Sequence, residues 1–403
     1  MDRPMTIQPD FEIVSDPARL VGLETEWNDL WRRADRPYAA QGFAWCLAGW
    51  RTTGSVRRRR LHVVVMREAG QAVLIWPMTL RRRLAWSVAT ALGAEGTEYA
   101  PVLVEPGADE TRRVQAAWNF IRGKSGADIV DVPFARAGSA VEEVLAADPA
   151  LCATHTLASP FVCFDRGASW QDYWRSRSAN LRNGCTRRRR RLAEQGSVTI
   201  EWVDDMAEYA GLLDWTLAHK GDWMARNNMH NGFLDTPEFR TFVLSSARGA
   251  DDGSAGMAMM VLRLDGKPIA TKVGSLDGSR FEGFITTYDV AYTAFSPGQI
   301  ILAECLEWCQ AKGLDYDFRV GDEAYKLHWA TGNCAATTFR IASTRWGMVL
   351  VRGEVLARRL REVKDRIRLC IPPSWRRSVK SVLRLAFSRR PLAELRAAAP
   401  FHV

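Results

Sequence analysis

TTYDVAYTAFSPG (residues 286–298), a helix-length segment, and then LDYDFRVGDEAYKLHW (residues 314–329) form the part of this chain whose reading decides the fold. Arg280–Tyr288 has the composition of a strand and runs into a loop through Ser296, Pro297 and Gly298. The apolar spacing of Gln299–Gly313 predicts a helix, and Leu314–Phe318 predicts a second strand. A strand that turns tightly into a helix N-terminus offers unpaired backbone N–H groups and the positive end of the helix dipole. It therefore holds a pyrophosphate with few cations. Gly298 allows close backbone approach, Ser296 can cap the helix or donate to a phosphate oxygen, and Pro297 fixes the turn while giving up one N–H. Three such residues are also an ordinary helix entry, so the surroundings decide between the two.

Upstream, Gly256–Leu264 and Lys267–Leu276 predict a hairpin around Asp265-Gly266, and Asp277-Gly278 turns the chain into the strand at Arg280. Before them come a helical Trp170–Gln195, a strand Val198–Val203 and a helix Met206–Lys220. Downstream, a short helix spans Glu323–Ala330 and a last strand lies near Thr337–Ser343. The first half predicts helices at Ala18–Ala34 and Gly42–Arg51, a hairpin of Leu61–Arg67 with Gln71–Leu80, a helix at Asp109–Arg122, a strand at Asp128–Val132, a helix at Ser139–Ala147 and a strand at Phe161–Phe164. Asp165-Arg166-Gly167 is the expected boundary. No internal repeat is legible in the residues themselves.

The Tyr288-Asp289…Tyr292…Ser296-Pro297-Gly298 element and the Asp317-Phe318…Gly321-Asp322-Glu323-Ala324-Tyr325-Lys326…Trp329 element together resemble a bacterial branch of the GNAT acyltransferases, that of cellulose and exopolysaccharide biosynthesis. That branch is similar to the Fem-type aminoacyltransferases, which pair two GNAT-like domains and use aminoacyl-tRNA. Trp174, Ser178, Leu181-Arg182 and the Arg187–Arg191 run also match a basic helix of these proteins. Arg319-Val320 departs from it, since relatives often carry a small residue there. The resemblance covers Trp170–Ser343 well and the first half loosely. It implies an α/β (α+β) fold of two tandem GNAT-like domains, each a mixed, mainly antiparallel sheet flanked by helices, followed by a basic helical tail. The expected divisions are residues 1–165, 166–345 and 346–403.

Length and composition agree with this. A chain of 403 residues, 47% hydrophobic and 25% charged, suits two packed domains. The net charge of +9 is uneven: Arg345–Val403 holds 15 Lys and Arg against 4 Asp and Glu, a balance of +11, which leaves −2 for the remainder. Gly353–Leu369 and Ser374–Phe387, separated by Pro372-Pro373, predict two basic amphipathic helices suited to an anionic membrane surface, to packing on the body or, less well, to nucleic acid. No apolar run reaches the roughly 20 residues of a membrane span, and Met1–Asp10 has no basic and apolar signal pattern, so a cytoplasmic placement, peripheral at the inner face of the membrane, is expected. The eight cysteines form no CxxC pair, and Cys305 with Cys309 share a helical face suited to core packing, so no metal is expected. Walker, HExxH and GxSxG patterns are missing.

Amine acylation needs a base for the amine and an acid or stabiliser for the leaving thiolate. Asp322, Glu323 and Tyr325 are the catalytic candidates, although both carboxylates also suit a helix N-terminus. Ser296, Pro297, Gly298 and Gln299 are the expected contacts to acetyl-CoA or another acyl-CoA. Tyr288, Asp289, Lys326, Arg182 and Arg187 are candidates for the acceptor or for an anion, with a Lys326–Glu323 pair as the alternative for Lys326. His328 reads as a packed residue, and His219–Trp223 as a sugar-stacking loop or a helix end. The expected partner is an amine-bearing saccharide or lipid-linked precursor, with no nucleic acid unless the donor is a tRNA.

Overall fold

The computed structural model describes residues 9–370 apart from 55–58, 84, 94–97, 166, 230–232, 235 and 250–254. The second tail helix, Ser374–Phe387, lies outside the described residues. The first half runs β1 (Asp10–Val14), α1 (Pro17–Val21), α2 (Glu24–Arg33), α3 (Phe43–Gly49), β2 (Arg60–Glu68), β3 (Gln71–Arg82), β4 (Ser87–Ala91), β5 (Leu103–Val104), α4 (Glu110–Lys124), β6 (Ile129–Arg136), α5 (Ala140–Ala146) and β7 (Leu151–Val162). The second runs α6 (Trp170–Ser176), α7 (Ala179–Ala193), β8 (Val198–Trp202), α8 (Met206–Arg226), α9 (Pro237–Ser245), β9 (Gly256–Leu264), β10 (Lys267–Leu276), β11 (Arg280–Tyr288), α10 (Pro297–Ala311), β12 (Asp315–Asp317), α11 (Ala324–Trp329) and β13 (Gly332–Ala342), and α12 (Arg345–Cys370) follows.

From β1 to β7 and again from β8 to β13 the same order recurs: strand, helices, three antiparallel strands, helix, strand, helix, strand. The repeat is carried by topology and not by residues, which is why it is not legible in the sequence. The two halves share one sheet in the order β1-β2-β3-β4-β6-β13-β7-β12-β11-β10-β9-β8. Each half gives its last strand to the other: β13 pairs antiparallel with β6, β7 pairs antiparallel with β12, and β7 and β13 pair with each other along most of their length. Predicted helix Ala18–Ala34 is broken at Gly22-Leu23, predicted helix Trp170–Gln195 at Arg177-Ser178, and α12 starts well before the expected Gly353.

Helices cover both faces of the sheet. In the second half Ile301, Cys305 and Cys309 of α10 bury against Ala270, Phe281 and Tyr316 on one face, the packing expected of the two thiols. On the other face α8 and α9 pack Leu213, Phe239 and Phe242 against Met259, Val273 and Ile285, joined by Trp45 and Ala48 from α3 of the first half. Full burial of each such aromatic or branched side chain stabilises by about 1.5–3 kcal/mol, so the two halves hold a substantial core in common.

A candidate acyl-transfer groove

Why a groove opens here follows from the pairing of β11. It meets β12 in parallel only at Arg280–Asp315, Phe281–Tyr316 and Glu282–Asp317. Immediately beyond, its register with β10 jumps from Gly283 to Ile285, leaving Phe284 as a bulge. A bulge bends its strand and ends local pairing, so β11 continues to Tyr288 with β10 alone. The other wall turns away after Asp317, because Arg319 takes a φ of 61° and Gly321 a φ of 135°. The Arg319 conformation costs about 1–2 kcal/mol. Its backbone N–H donates to Asp317 Oδ1 at 2.6 Å, its guanidinium pairs with Glu98 at 2.5 Å, and it stacks on Phe284 with 4.1 Å to the ring centroid.

The opposite half lacks this wedge. β4 and β6 pair at Val88–Ile129 and Ala89–Val130, but the space beyond is filled by the chain itself. Ala100 N–H donates to Phe134 O at 2.9 Å and Phe134 N–H to Glu98 O at 3.1 Å, so residues 98–100 take the place a ligand would need. The first half keeps a cavity of its own beside this crossing, lined by Tyr38, Tyr99, Ala100, Phe134 and Arg136, so what sets the β11 wedge apart is its unpaired strand edge.

The N-terminus of α10 stands at the end of that groove. Ser296 takes a left-handed φ of 48° and makes no side-chain capping bond, so capping is not the one of its two expected roles that the structure shows. Gly298 is helical and not strained, and a Cβ there would sit 3.6 Å from Tyr288 and 3.7 Å from Thr286. Its use is therefore space along β11 and not backbone freedom. Gln299 Oε1 accepts from Trp329 Nε1 at 2.9 Å, tying α10 to α11 across the groove. Tyr288 lines the wall beside Gly298, whereas Asp289 is spent capping a turn through Ala291 N–H at 2.9 Å.

On α11, Glu323 pairs with Lys326 at 3.0 Å, and Lys326 Nζ donates to Val320 O at 2.8 Å in a buried position. Both fold over Gly321, where a Cβ would meet Glu323 Oε2 at 2.3 Å and Lys326 Nζ at 2.6 Å. Lys326 is thus an internal brace and not a free anion binder. Asp322 and His328 are exposed, the latter against the packed position expected of it. Tyr325 is exposed at one edge and its ring lies edge-on to Phe318 at 6.4 Å. Packing around its hydroxyl and the nearby Glu323 push the phenol up to about 12, so it stays protonated at neutral pH. His219–Trp223 lies inside α8 and not in a loop. His219 stacks on Trp215, and Lys220 covers the Trp223 ring at 4.3 Å.

The basic helix α7 divides its arginines. Arg182 Nε donates to Arg177 O at 3.2 Å, Arg189 pairs with Glu304 at 3.1 Å, Arg190 pairs with Glu194, and Arg187 is exposed. Arg191 covers the Phe295 ring at 5.6 Å, directly before Ser296. The residue that reaches the loop is therefore Arg191, one helical turn beyond the expected Arg187.

Two buried ionisable groups flank the bulge, and neither was singled out from sequence. Lys272 on β10 points to the α10 face, with Nζ donating to Thr286 at 3.0 Å and lying 5.1 Å from the Tyr316 ring centroid. Burial pushes it down to about 8. Glu282, on β11 and next to Phe281 in a pleated strand, points to the opposite face. Burial first, then the nearby Asp317, push it up to about 8 against the pull of Arg319, and its Oε1 has no hydrogen-bond partner. Asp317 itself accepts from Tyr99 at 2.8 Å, and Arg136 lies 3.5 Å away, so the first half supplies this wall of the site. Acidic residues inside strands carry no periodic or motif signal; Glu282 in the RFEGFITTY strand gave none.

A strand that splays at a bulge, the N-terminus of α10 and the buried Glu282 carboxyl thus lie in one region of the second half. The acetyltransferase (GNAT) domain family matches residues 179–327. The matched segment is similar to a GNAT domain. It runs from α7 to α11 and so contains the groove, the α10 loop and Glu282. No curated protein matches the chain in sequence. FemX shares the fold at a TM-score of 0.53 with 10% identity, over 81% of this chain and 96% of its own. The C-terminal domain of a protein described as a lysylphosphatidylglycerol synthetase from Agrobacterium fabrum does so at 0.50 with 14% identity, over 85% of this chain and 97% of its own. A tandem GNAT protein from the clavulanic acid biosynthesis pathway overlaps at 0.46 with 14% identity, over 84% and 99%. The repeated element order makes the first half a topological copy of the second, so the fold is two tandem GNAT-like halves, and the family match falls on the second.

Proposed function

We propose that this protein is an acyl-CoA-dependent N-acyltransferase that moves an acetyl group to an amine on an amino sugar or a lipid-linked precursor of an exopolysaccharide. The observation that carries the reading is the wedge between β11 and the departing β12, open at the Phe284 bulge and ending on the α10 N-terminus. The pyrophosphate rests on the backbone N–H of Gly298 with the Ser296 hydroxyl, while the Gln299 N–H is given to Ser296 O at 2.9 Å, and Arg191 adds charge. The thioester lies along β11 at the Phe284 bulge.

The amine approaches from the α8 face, where Glu282 points. Its nitrogen attacks the carbonyl carbon and its proton passes to Glu282, whose proton affinity near neutrality suits a general base. The C–S bond breaks, and the Tyr325 hydroxyl protonates the sulfur. Asp322 and Glu323 are left out of the chemistry because the first faces solvent and the second is held by Lys326. Exopolysaccharide precursors rest on the sequence resemblance, and a lipid-linked one would bring the enzyme to the membrane's inner face.

Calorimetry with acetyl-CoA tests the donor. Gly298→Ala has room and keeps binding, while Gly298→Trp drives a ring against Tyr288 and Thr286 and abolishes it. Full binding by the tryptophan variant would place the donor elsewhere. The FemX-like fold favours a second reading, an aminoacyl-tRNA-dependent transferase acting on a cell-envelope precursor. No heat with acetyl-CoA but binding of aminoacyl-tRNA selects it, and silence with both donors makes the protein a non-catalytic scaffold for a polysaccharide synthase.

A further inference from the structure

Helix α12 buries one stripe and bares another. Val351, with Leu350 and Val355, packs on Val88, Ile129 and Trp86. Gly347 approaches Asp128 so closely that a Cβ would lie 2.0 Å from its carbonyl oxygen, and Trp346 Nε1 donates to Ala85 O at 3.0 Å. The helix is therefore fixed to the body at its start. On its other side Trp346 is 49% exposed, Val349 59%, Leu356 60% and Val363 53%, at spacings that keep them on one face. A row of large apolar side chains in water signals a contact surface.

Charge identifies what covers it. Arg345 and Arg352 border the stripe and are exposed, as are Arg81 and Arg82 at the end of β3, the hairpin whose turn holds Ala85 against Trp346. The chain from Arg345 onward carries 15 basic residues against 4 acidic ones. A second copy would align the arginines of both chains along one seam, whereas an anionic bilayer accepts apolar side chains, interfacial tryptophan and arginine together. Among the described residues no helix is long and apolar enough to cross a membrane, so contact through this helix is at the surface.

We propose that the Trp346–Val349–Leu356–Val363 face, with Arg81, Arg82, Arg345 and Arg352, seats the protein on an anionic lipid surface. This deepens the reading of a lipid-linked acceptor by naming the surface that meets the membrane. The test is co-sedimentation of the full chain with phosphatidylcholine vesicles, with and without about one-third phosphatidylglycerol. Wild type partitions to the anionic vesicles at least about tenfold better and releases with salt. Val349→Glu with Leu356→Glu lowers that binding about tenfold, and Arg81→Glu with Arg82→Glu lowers it as well. All four positions are exposed, so circular dichroism stays unchanged.

Vesicle binding by the Val349/Leu356 variant equal to wild type would overturn the proposal and assign binding to residues 371–403. So would no binding by wild type, or a dimer in light scattering that the same variant dissociates, which would make a second copy the occupant. Acetyl-CoA calorimetry on the same preparations reads the acyltransferase assignment separately, since none of these residues lines the groove.

Discussion

Glu282 and Lys272 lie on adjacent strands but on opposite faces of the sheet, and burial moves their protons in opposite directions. Glu282 rises from 4.5 to about 8, so between those values the folded chain holds a proton that the unfolded chain has released. Stability then falls as pH climbs through that window and levels above it. Lys272 drops from 10.5 to about 8, so there the unfolded chain holds the extra proton, and stability rises as pH climbs from 8 to 10.5. Glu282→Gln removes the first slope. Its denaturant midpoint should decline less than that of wild type between about pH 5 and pH 8, by the equivalent of about 2–4 kcal/mol. Equal slopes in the two proteins would mean that the carboxyl ionises at its ordinary value. The same variant keeps acetyl-CoA affinity and loses about 10²–10⁴ in kcat if Glu282 is the base, and a loss confined to KM would assign it to acceptor binding instead.

At the scale of elements, the groove's second wall depends on one tryptophan. Trp329 is fully buried, donates to Gln299, and its carbonyl accepts from Tyr173 at 2.6 Å and Arg177 at 3.0 Å. It therefore links α6, α10 and α11. Trp329→Ala should cost about 3–5 kcal/mol and, by freeing Gln299, weaken acetyl-CoA binding more than an equally destabilising change far from the groove. Thermal melts with and without acetyl-CoA separate the two effects, and an unchanged ligand-induced shift in Tm would sink the coupling. The elements that sequence located best are those bounded by strong turns. Asp265 and Gly266 both take positive φ, as a two-residue hairpin turn requires, and β9, β10 and β11 fall where the pattern placed them. β1, the short β4 and β5, and α9 went unseen. β7 was expected only at its end, because LCATHTLAS alternates small and polar residues and becomes a strand by pairing with β13 nearly two hundred positions away. The entry to α10 was legible because Pro297 and Gly298 punctuate the chain locally. Glu282, Lys272 and Arg191 were not, because their environments are assembled from β12, α10 and the first half.

Across the whole molecule, the exchange of β7 and β13 decides how the protein unfolds. Neither half completes its own sheet, and the second half's α8–α9 core includes Trp45 and Ala48 of the first. Polar contacts cross the same seam: Tyr99 donates to Asp317, Arg36 pairs with Asp315, and Arg280 lies 4.0 Å from the Tyr38 ring centroid. Chains of this length commonly unfold domain by domain. Here a lone first half would expose the β6 edge and a lone second half the β12 edge, each with its apolar face, so a state with one half folded is costly. Denaturant unfolding should therefore be one transition, with tryptophan fluorescence and far-ultraviolet circular dichroism coincident. Trp118→Ala removes a ring buried in the first half, whose Nε1 donates to Asp148 at 2.6 Å, and should cost about 3–5 kcal/mol. It should shift the entire curve and lower the temperature at which acetyl-CoA binding is lost, although it touches nothing in the groove. Two separated transitions, with acetyl-CoA moving only one of them, would show that the halves fold independently despite the exchanged strands.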